Sequence, residues 1–502
     1  METTGHATGV READEPEGGT DDGPQSSQPT LLTSPHHASS CLVYPASFAG
    51  VRAGWARVRQ ISARSGQAAG RACEDRCGFR CRGGPMDSTS EAWLDLDLTD
   101  PAAFVDNDPH AYWRAVRARA PVHWRPGVGR RPGFWVVARH ADVRTAYADN
   151  GSLISSRGTV LDVLLRGEDS AGGRMLAVTD RPRHPALRRV LGRAFSSRVL
   201  DEVARAVRAR TDRLVAAVAH GAEFDFAAEV ADRIPMNTIC DLLSIPNGDR
   251  LALLRWNKAA LSSDGPQVDP YGAVEARNEI VRYLTELARA RRARPGDDVI
   301  SAIATAEVQG RRLPLEDVAL NCYSLVLGGD ESSRVSAICA VKALAEHPGQ
   351  WRALRDGEVG LDTAVEEVLR WATPAMHFAR TAVRDVVIGG RQVRAGDVVT
   401  LWNTSANDDE AVFDEPRRFN LGRTPNRHLS LGHGAHFCLG AFLGRAELRA
   451  LLGALRESVA EVELRGEPTP IHSTFLRGYS TLPASFTPRR SPQPTGAADS
   501  AV

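Results

Sequence analysis

Apolar side chains recur every three to four residues over several stretches of this sequence, the spacing that places them on one face of a helix. These stretches cover 109–119, 183–195, 198–219, 247–263, 272–293 and 360–372. Short runs rich in β-branched and aromatic residues occur between them at 134–138, 385–389 and 397–402. The pattern predicts a mainly α protein with small β-sheets.

The longest predicted helix runs from about Pro314 to His347. Pro314 suits a first helical turn, and Glu316 and Asp317 suit the positive end of the helix dipole. The pair His347-Pro348 is expected to end the helix. At 1.5 Å per residue, its roughly 33 residues would extend about 50 Å and cross the whole domain.

The two ends of the chain differ in composition from its middle. Residues 1–85 open with Gly, Ser, Pro, Thr and acids and continue with Arg, Gly, Ala and Cys, without sustained apolar periodicity. We expect this extension to be largely disordered, and residues 491–502 to form a loose tail. The folded domain is therefore predicted at 86–490, and Met86 is a candidate for the functional start.

The composition indicates a globular protein and gives no sign of a polyanionic partner. The chain is 42% hydrophobic and 25% charged, and its 62 basic residues balance 62 acidic ones. A neutral chain offers no electrostatic reason to bind nucleic acid or an anionic membrane. No apolar run approaches the roughly 20 residues that span a bilayer, and the first residues lack a secretory signal. We expect a soluble, cytoplasmic monomer.

The eight cysteines do not have the spacing of a disulfide framework. Cys73, Cys77 and Cys81 lie close together, but no His or fourth nearby Cys completes a familiar zinc or iron–sulfur pattern. Metal binding at these three residues remains the less favoured alternative.

The strongest chemical signal is the segment at 428–448, HLSLGHGAHFCLGAFLGRAEL. Gly432, Gly434 and Gly440 surround Cys438, and glycines allow the tight turns and close backbone approach that a flat macrocycle requires. The residues after Cys438 predict a helix, whose first amides and dipole favour a thiolate over a thiol. The alternative is an ordinary buried cysteine in a glycine-rich turn.

This segment resembles the haem loop of the cytochrome P-450 superfamily, F-G-x-G-x-H-x-C-x-G, in its soluble actinobacterial-type members. Leu431 replaces the usual Phe at the first position. The resemblance covers about residues 92–488 and implies that family's fold, with haem b between the long helix and the helix after Cys438. It implies that Cys438 is the axial thiolate, a ligand that favours O–O cleavage.

Two further matches concern structure and haem binding. Glu367 and Arg370 in EEVLRW match the family's E-x-x-R pair, which implies a buried structural network with Arg418 of FDEPRRF as its third member. His184 and Arg188 lie four residues apart on one helix face and match a pair that binds haem propionates. The resemblance adds Arg380 and His436 as propionate partners, with Gly440 beside the ligand; an ordinary surface cation is the alternative for each.

The middle of the long helix carries LGGDESS at 327–333, where the family reads A-G-x-D/E-T. Inside a helix, Gly328 and Gly329 each lower helix stability by roughly 1 kcal/mol relative to alanine, so their presence needs a reason. Because they would loosen the helix, we predict a groove there for O2 and water. A simple kink is the alternative. Glu331 stands at the acid position, and Ser332 replaces the Thr, keeping the hydroxyl but not the methyl group. We predict that this pair relays protons.

The resemblance implies a monooxygenase that activates O2 and hydroxylates a small organic substrate in secondary metabolism, such as antibiotic biosynthesis. Electrons would come from NAD(P)H through a separate ferredoxin and its reductase. The substrate is a free small molecule, a peptide or an acyl group on a carrier protein. Two alternatives remain open: ring coupling or dehydrogenation without oxygen insertion, and a non-catalytic haem-binding protein. Candidate substrate contacts, with core packing as the alternative, are Leu161, Leu164, Leu165, Leu325, Phe378 and Phe475.

Overall fold

The computed structural model describes residues 96–105, 109–261 and 270–489. The group formed by Cys73, Cys77 and Cys81, the candidate start at Met86 and the tail at 491–502 lie outside the described residues. The predictions made for them therefore stay predictions.

Helices form most of the described chain, as the apolar periodicity predicts. Their bounds, in chain order, are α1 Ala102–Val105, α2 Pro109–Arg119, α3 His140–Ala148, α4 Leu161–Arg166, α5 Arg183–Ala194, α6 Ser197–Val218, α7 Arg233–Leu242, α8 Arg250–Leu261, α9 Pro270–Ala293, α10 Val299–Thr305, α11 Leu315–Glu346, α12 Pro348–Arg355, α13 Leu361–Ala372, α14 Asn403–Ala406 and α15 Ala441–Ser458. A short π-helix at Ala227–Ala231 precedes α7, and a 3-10 turn at Gly434–His436 precedes α15.

The strands are short and form small sheets. Their bounds are β1 Val122–Arg125, β2 Phe134–Val137, β3 Leu153–Ile154, β4 Glu223–Asp225, β5 Glu307–Val308, β6 Arg311–Arg312, β7 His377–Ala382, β8 Val386–Ile388, β9 Arg391–Val393, β10 Val398–Trp402, β11 Val459–Leu464 and β12 Pro483–Pro488. The largest sheet has the order β1-β2-β10-β7-β3, in which β2 and β10 run parallel. A second sheet has the order β11-β12-β4, and β5-β6 and β8-β9 are hairpins.

The long helix α11 is the centre of the molecule. Its 32 residues run from Leu315 to Glu346, with Pro314 and His347 as the flanking residues, so the predicted bounds are confirmed. It packs against α7, α9, α13 and α15. Most of its side chains are buried in one continuous apolar core that also includes residues of these neighbours. A helix surrounded in this way can hold side chains at fixed positions near the middle of the domain.

The packing brings together residues that are far apart in the sequence. Helix α15 lies against α6, α11 and α13, while β7 pairs with β10 in the largest sheet. The segment before α15 contacts α3, and the segment before β7 follows α13. Within the described ranges, none of the helices combines the length and the apolar character that crossing a bilayer requires.

Candidate active site

The loop before α15 is folded tightly around Cys438. Gly432 and Gly434 have φ values of 70° and 73°, a region that glycine adopts without strain. A Cβ atom on Gly434 would lie 2.7 Å from the carbonyl oxygen of Tyr147 in α3, so a side chain cannot fit there. The amide of Cys438 donates to the carbonyl of Leu431 at 2.9 Å. Because this bond uses the main chain of Leu431, the loop closes without the phenylalanine that the motif usually carries.

Some neighbours of the Cys438 sulfur stabilise its thiolate form, but burial opposes them and outweighs their effect. The amide of Gly440, just before α15 begins, donates a hydrogen bond to the sulfur. Burial raises the pKa of the Cys438 thiol, while this amide and the charges of Arg188 and Arg445 lower it. The net shift is upward, so a bound cation is needed to hold the thiolate at neutral pH. A lone thiolate donor of this kind would fit one bond to the metal ion of a cofactor.

Four basic side chains gather beside this loop, as the sequence predicts. His184 and Arg188 come from α5, Arg380 from β7, and His436 from the 3-10 turn before Cys438. The rings of His184 and His436 have centroids 4.2 Å apart. Arg188 Nη2 donates to the carbonyl oxygen of Phe437 at 2.7 Å, which ties α5 to the loop. The structure therefore brings all four predicted residues together.

The basic cluster carries an excess of positive potential inside the protein. Burial and the nearby charges of His436 and Arg188 lower the pKa of His184 to about 4. Burial also lowers the pKa of Arg380, which is 4% exposed and donates to the carbonyl of Ala379 at 2.8 Å. The Nε2 atom of His184 is buried and has no hydrogen-bond partner among the described residues. Such a cluster fits a buried anionic group with several oxygen atoms.

Asp180 is a member of this cluster that the sequence did not indicate. Its carboxylate accepts hydrogen bonds from the amides of Ser155 and Ser156 at 2.8 to 3.0 Å and lies 3.9 Å from His436 Nε2. Burial alone would raise the pKa of Asp180, but His436 and these amides outweigh burial and lower it to about 2. Asp180 therefore stays charged and holds the 155–156 segment and His436 in place. It precedes His184 by four residues, but no feature of its spacing reveals its partners.

The long helix has one face that is not buried. Gly328 is exposed, and Leu325 and Ser332 are partly exposed, although the surrounding turns of α11 are buried. The spacing of three and four residues places these positions on one side of the helix. The Oγ atom of Ser332 donates to the carbonyl oxygen of Gly328 at 2.9 Å. A hydroxyl group thus lies on an open helix face in the middle of the domain.

Gly328 and Gly329 of α11 are glycines for two different structural reasons. A Cβ atom on Gly329 would lie 2.3 Å from Cδ1 of Ile239, so glycine lets α7 pack directly on α11. A Cβ atom on Gly328 would meet nothing within 4 Å, because this residue lies on the open face. The glycine pair therefore combines close helix packing on one side with access on the other.

Glu331, the predicted acid of the proton relay, pairs with Arg334. Glu331 is 2% exposed, and its Oε1 atom accepts from Nε of Arg334 at 3.1 Å and from Nη2 of the same residue. This is an ion pair within one turn of α11. Glu331 is therefore held by Arg334, while the hydroxyl of the next residue, Ser332, is held by the helix main chain.

The predicted E-x-x-R network is present, but one of its three members is different. Arg370 binds Glu367 with two hydrogen bonds of 2.8 Å, and both residues are almost completely buried. The assignment of Arg418 is wrong, because its side chain is 65% exposed and pairs with Glu415. Arg423 takes its place and donates to Glu367 Oε2 at 3.1 Å.

The backbone explains why Arg423 and not Arg418 reaches the network. Glu415 has a φ of 41°, and this turn directs the following residues toward the solvent. The chain then returns, so that Arg423 donates to the carbonyl oxygens of Asp414, Glu415 and Arg418. Arg418 thus contributes a main-chain acceptor instead of a charge.

The candidate substrate contacts divide into two groups. Leu161, Leu164 and Leu165 of α4 are 1%, 6% and 7% exposed and pack in an apolar cluster with the aromatic residues of α2 and β10. They pack in the core of this structure, as the alternative interpretation has it, and their role as substrate contacts stays a prediction. Leu325, Phe378 and Phe475 are partly exposed, and the rings of the last two lie 5.6 Å apart at their centroids. These three remain available to a bound molecule.

Comparisons with known proteins agree with this geometry. The family model for cytochrome P-450 matches residues 360–473, which include the E-x-x-R pair and the Cys438 loop. Cytochrome P-450 NovI of Streptomyces niveus is 43% identical over 392 residues, covering 78% of this chain and 96% of that protein. The methyl-branched lipid omega-hydroxylase of Mycobacterium tuberculosis is 34% identical over 426 residues, covering 81% and 98%.

Solved structures show the same relationship. The crystal structure of OxyD, a P-450 involved in the biosynthesis of vancomycin-type antibiotics, superposes with a TM-score of 0.72 at 37% identity, covering 78% of this chain and all of that one. A Mycobacterium marinum enzyme solved with pseudoionone gives the same TM-score at 32% identity, with 78% and 98% covered. The tight cysteine loop, the long helix and these likenesses lead to one conclusion: the chain belongs to the cytochrome P-450 family of haem-thiolate monooxygenases.

Proposed function

We propose that Cys438 is the axial ligand of haem b in this monooxygenase, and that His184, Arg188, Arg380 and His436 bind the haem carboxylates. The observation that carries the proposal is the sulfur itself, which is partly buried just before α15 and adjoins a cluster with excess positive potential. Haem, when bound, supplies the chemistry of O2 activation. The protein supplies the thiolate, the counter-charges for the carboxylates and a hydroxyl group on the open face of α11.

We propose that the electrons come from a ferredoxin and its NAD(P)H-dependent reductase. Helices α5 and α15 meet at the Cys438 loop, and both present exposed side chains next to it. Arg189 and Arg193 of α5 are exposed, and Phe442 at the start of α15 is 48% exposed. Exposed basic side chains on α5 and an exposed aromatic side chain on α15 suit a small acidic protein that must approach the ligand closely.

The proposed reaction is hydroxylation of a small organic substrate in the biosynthesis of a secondary metabolite. OxyD, which is involved in the biosynthesis of vancomycin-type antibiotics, supports this class, because this chain matches it over its whole length. The substrate is either free or bound to a carrier protein. Leu325, Phe378 and Phe475 would contact it, because their side chains are partly buried apolar groups and Leu325 lies on the open face of α11.

The proposal is tested by turnover with isotopically heavy O2. Candidate substrates are first ranked by the haem spin-state change that they cause, and the best is then incubated with a surrogate ferredoxin, its reductase and NADPH. One heavy oxygen atom in the product is the expected result. A product that has lost hydrogen without gaining labelled oxygen would indicate coupling or dehydrogenation, and the lack of any oxygen-dependent NADPH consumption would favour a non-catalytic haem protein.

Arg380→Leu is expected to weaken haem retention. The guanidinium is almost fully buried, so its interactions with a carboxylate are not shared with water. Losing hydrogen bonds to a charged group costs about 1.5–3 kcal/mol, which corresponds to roughly ten- to hundredfold faster haem loss. Transfer of haem to apomyoglobin measures the rate. Arg384→Leu is the matched control, because Arg384 is exposed and binds Ser152; equal rates for both variants would contradict the assignment of Arg380.

Ser332→Ala is expected to divert electrons from product to peroxide. The substitution removes the hydroxyl from the open face of α11 and leaves the helix intact. A positioned proton donor contributes at least about tenfold to a proton transfer, so product per NADPH should fall by that factor. Ser336→Ala is the control, because Ser336 Oγ also donates to a helix carbonyl, at 2.7 Å, but is buried. A similar fall in both variants would show that the hydroxyl of Ser332 has no special role.

A further inference from the structure

A buried polar pair lies on the side of α11 that faces α8, away from the open face. Asp330 of α11 and Asn257 of α8 are 1% and 0% exposed. The Nδ2 atom of Asn257 donates to Oδ2 of Asp330 at 2.6 Å. The remaining oxygens of the same two side chains, Asp330 Oδ1 and Asn257 Oδ1, are both buried without a hydrogen-bond partner among the described residues. Two unpaired acceptors in one buried contact require an explanation.

A single proton would satisfy both oxygens. A carboxylate can only accept hydrogen bonds, whereas a protonated carboxyl group also donates one. A proton on Oδ1 of Asp330 can be donated to Oδ1 of Asn257, while the existing bond from Nδ2 to Oδ2 stays in place. The result is a ring in which the acid and the amide each donate once and accept once.

The charges around the pair oppose a second anion. Asp232, in the turn before α7, forms an ion pair with Lys258 of α8. Glu331 forms an ion pair with Arg334, whose Nη1 atom also lies 3.7 Å from Asp232. Among the described residues, Lys258 and Arg334 therefore already pair with the carboxylates of Asp232 and Glu331.

A further titratable neighbour in the part of the chain that the structure describes, Cys240, does not change this balance. Cys240 of α7 is buried, and burial raises its pKa to about 12, so it is neutral. Burial, followed by the negative charge of Glu331, raises the pKa of Asp330 to about 8, although the Asn257 hydrogen bond and Arg334 act in the opposite direction. The electrostatics and the two unpaired oxygens independently indicate a neutral carboxyl group.

We propose that Asp330 is protonated near neutral pH and forms with Asn257 a two-bonded acid–amide ring that fixes α8 on α11 next to Glu331 and Ser332. Asp330 is then a positioning residue for the acid and the hydroxyl that follow it. Ile239 packs on Gly329 from α7, so α7 and α8 hold α11 at two successive residues. The link to proton delivery rests on the proposed function, whereas the ring itself does not.

The first test is infrared spectroscopy of the haem-loaded protein. The spectrum of Asp330→Asn is subtracted from that of wild type. At about pH 6 we expect the difference spectrum to show the C=O band of a protonated carboxyl group, and at about pH 9 to show carboxylate bands instead. Asp317→Asn is the matched control, because Asp317 is also buried on α11 but pairs with Arg174 and Arg183. Its difference spectrum should show carboxylate bands at both pH values. Carboxylate bands for Asp330 at the lower pH would overturn the proposal.

The second test is the pH dependence of stability. The native state holds the proton up to about pH 8, whereas an unfolded Asp releases it near about pH 3.9. The stability of wild type relative to Asp330→Asn should therefore fall as the pH rises through this window, by up to about tenfold in the folding equilibrium constant per pH unit, and stay constant above it. The amide in the Asp330→Asn variant would keep one donor and one acceptor in the ring at every pH. A relative stability that is flat or rises with pH in urea unfolding would contradict the ring.

The positioning role is tested by product yield per NADPH. Asn257→Leu removes the ring and should lower the yield severalfold, while Asp330→Asn should retain most of it because an amide pair can form the same ring. Equal yields in wild type and Asn257→Leu would overturn the positioning role. A wild type without any turnover would instead overturn the proposed function, and the infrared and stability results would remain valid for the ring.

Discussion

Replacing Cys438 with alanine is expected to abolish the red-shifted Soret band that thiolate-ligated haem gives in its ferrous carbon monoxide complex. The sulfur is the group that the Gly440 amide and two arginines stabilise as an anion at the start of α15. Alanine keeps the Cβ atom, and the hydrogen bond from the residue 438 amide to Leu431 does not involve the side chain. Turnover should fall by more than about a hundredfold, because even supporting residues around a metal contribute ten- to hundredfold.

The control for this experiment is Cys339→Ala. Cys339 lies on α11 and is partly buried beside Phe475, and burial raises its pKa to about 11. Its thiol is therefore protonated and should not compete as a ligand. We expect this variant to keep the red-shifted band and most of its activity. A band that survives in Cys438→Ala, in protein that still binds haem, would contradict the assignment of the ligand.

Glu367→Ala is expected to cause the largest loss of stability of any single substitution considered. The carboxylate is fully buried and accepts from Arg370, Arg423, the amide of Asn420 and the side chain of Asn426. Removing one partner of a buried ion pair leaves the other charge uncompensated and costs about 3–5 kcal/mol. Urea unfolding of the haem-loaded protein measures this loss, and the haem content after purification should fall with it.

The same network provides a matched pair of variants. Arg423→Ala removes a guanidinium that is 8% exposed and donates to Glu367 and to three main-chain carbonyls. Arg418→Ala removes one that is 65% exposed and pairs only locally in the chain. We expect a loss of several kcal/mol for the first and a change within about 0.5 kcal/mol for the second. Equal losses would show that the observed network is not the one that stabilises the protein.

The sequence could not predict that Arg423, and not Arg418, binds Glu367. Both residues lie between α13 and the Cys438 loop, and both have a charge that could meet Glu367. The turn at Glu415 decides which of them points inward, and its left-handed backbone conformation is not encoded by a glycine. A motif that specifies residue types within a few positions cannot resolve a change of chain direction between them.

The sequence also could not decide what the leucines of α4 pack against. Leu161, Leu164 and Leu165 have the spacing of one helix face, which is equally suitable for a cavity wall and for the core. The choice depends on what lies opposite, and here that is Trp113 and Trp402. Asp180 and the pair of Asp330 with Asn257 could not be predicted from the sequence either, because their partners lie at least 24 residues away in the chain.

The sequence by itself determined the elements and the chemistry that depend on neighbouring residues. Apolar periodicity set the helices, the flanking Pro314 and His347 set the ends of α11, and the glycines around Cys438 set a loop that leaves the sulfur accessible. Tertiary structure alone decided which charges are buried, which carboxylates share a cation and which face of α11 stays open. These properties depend on distances between segments that pack together without local sequence signals, and burial then determines the strength of each electrostatic interaction.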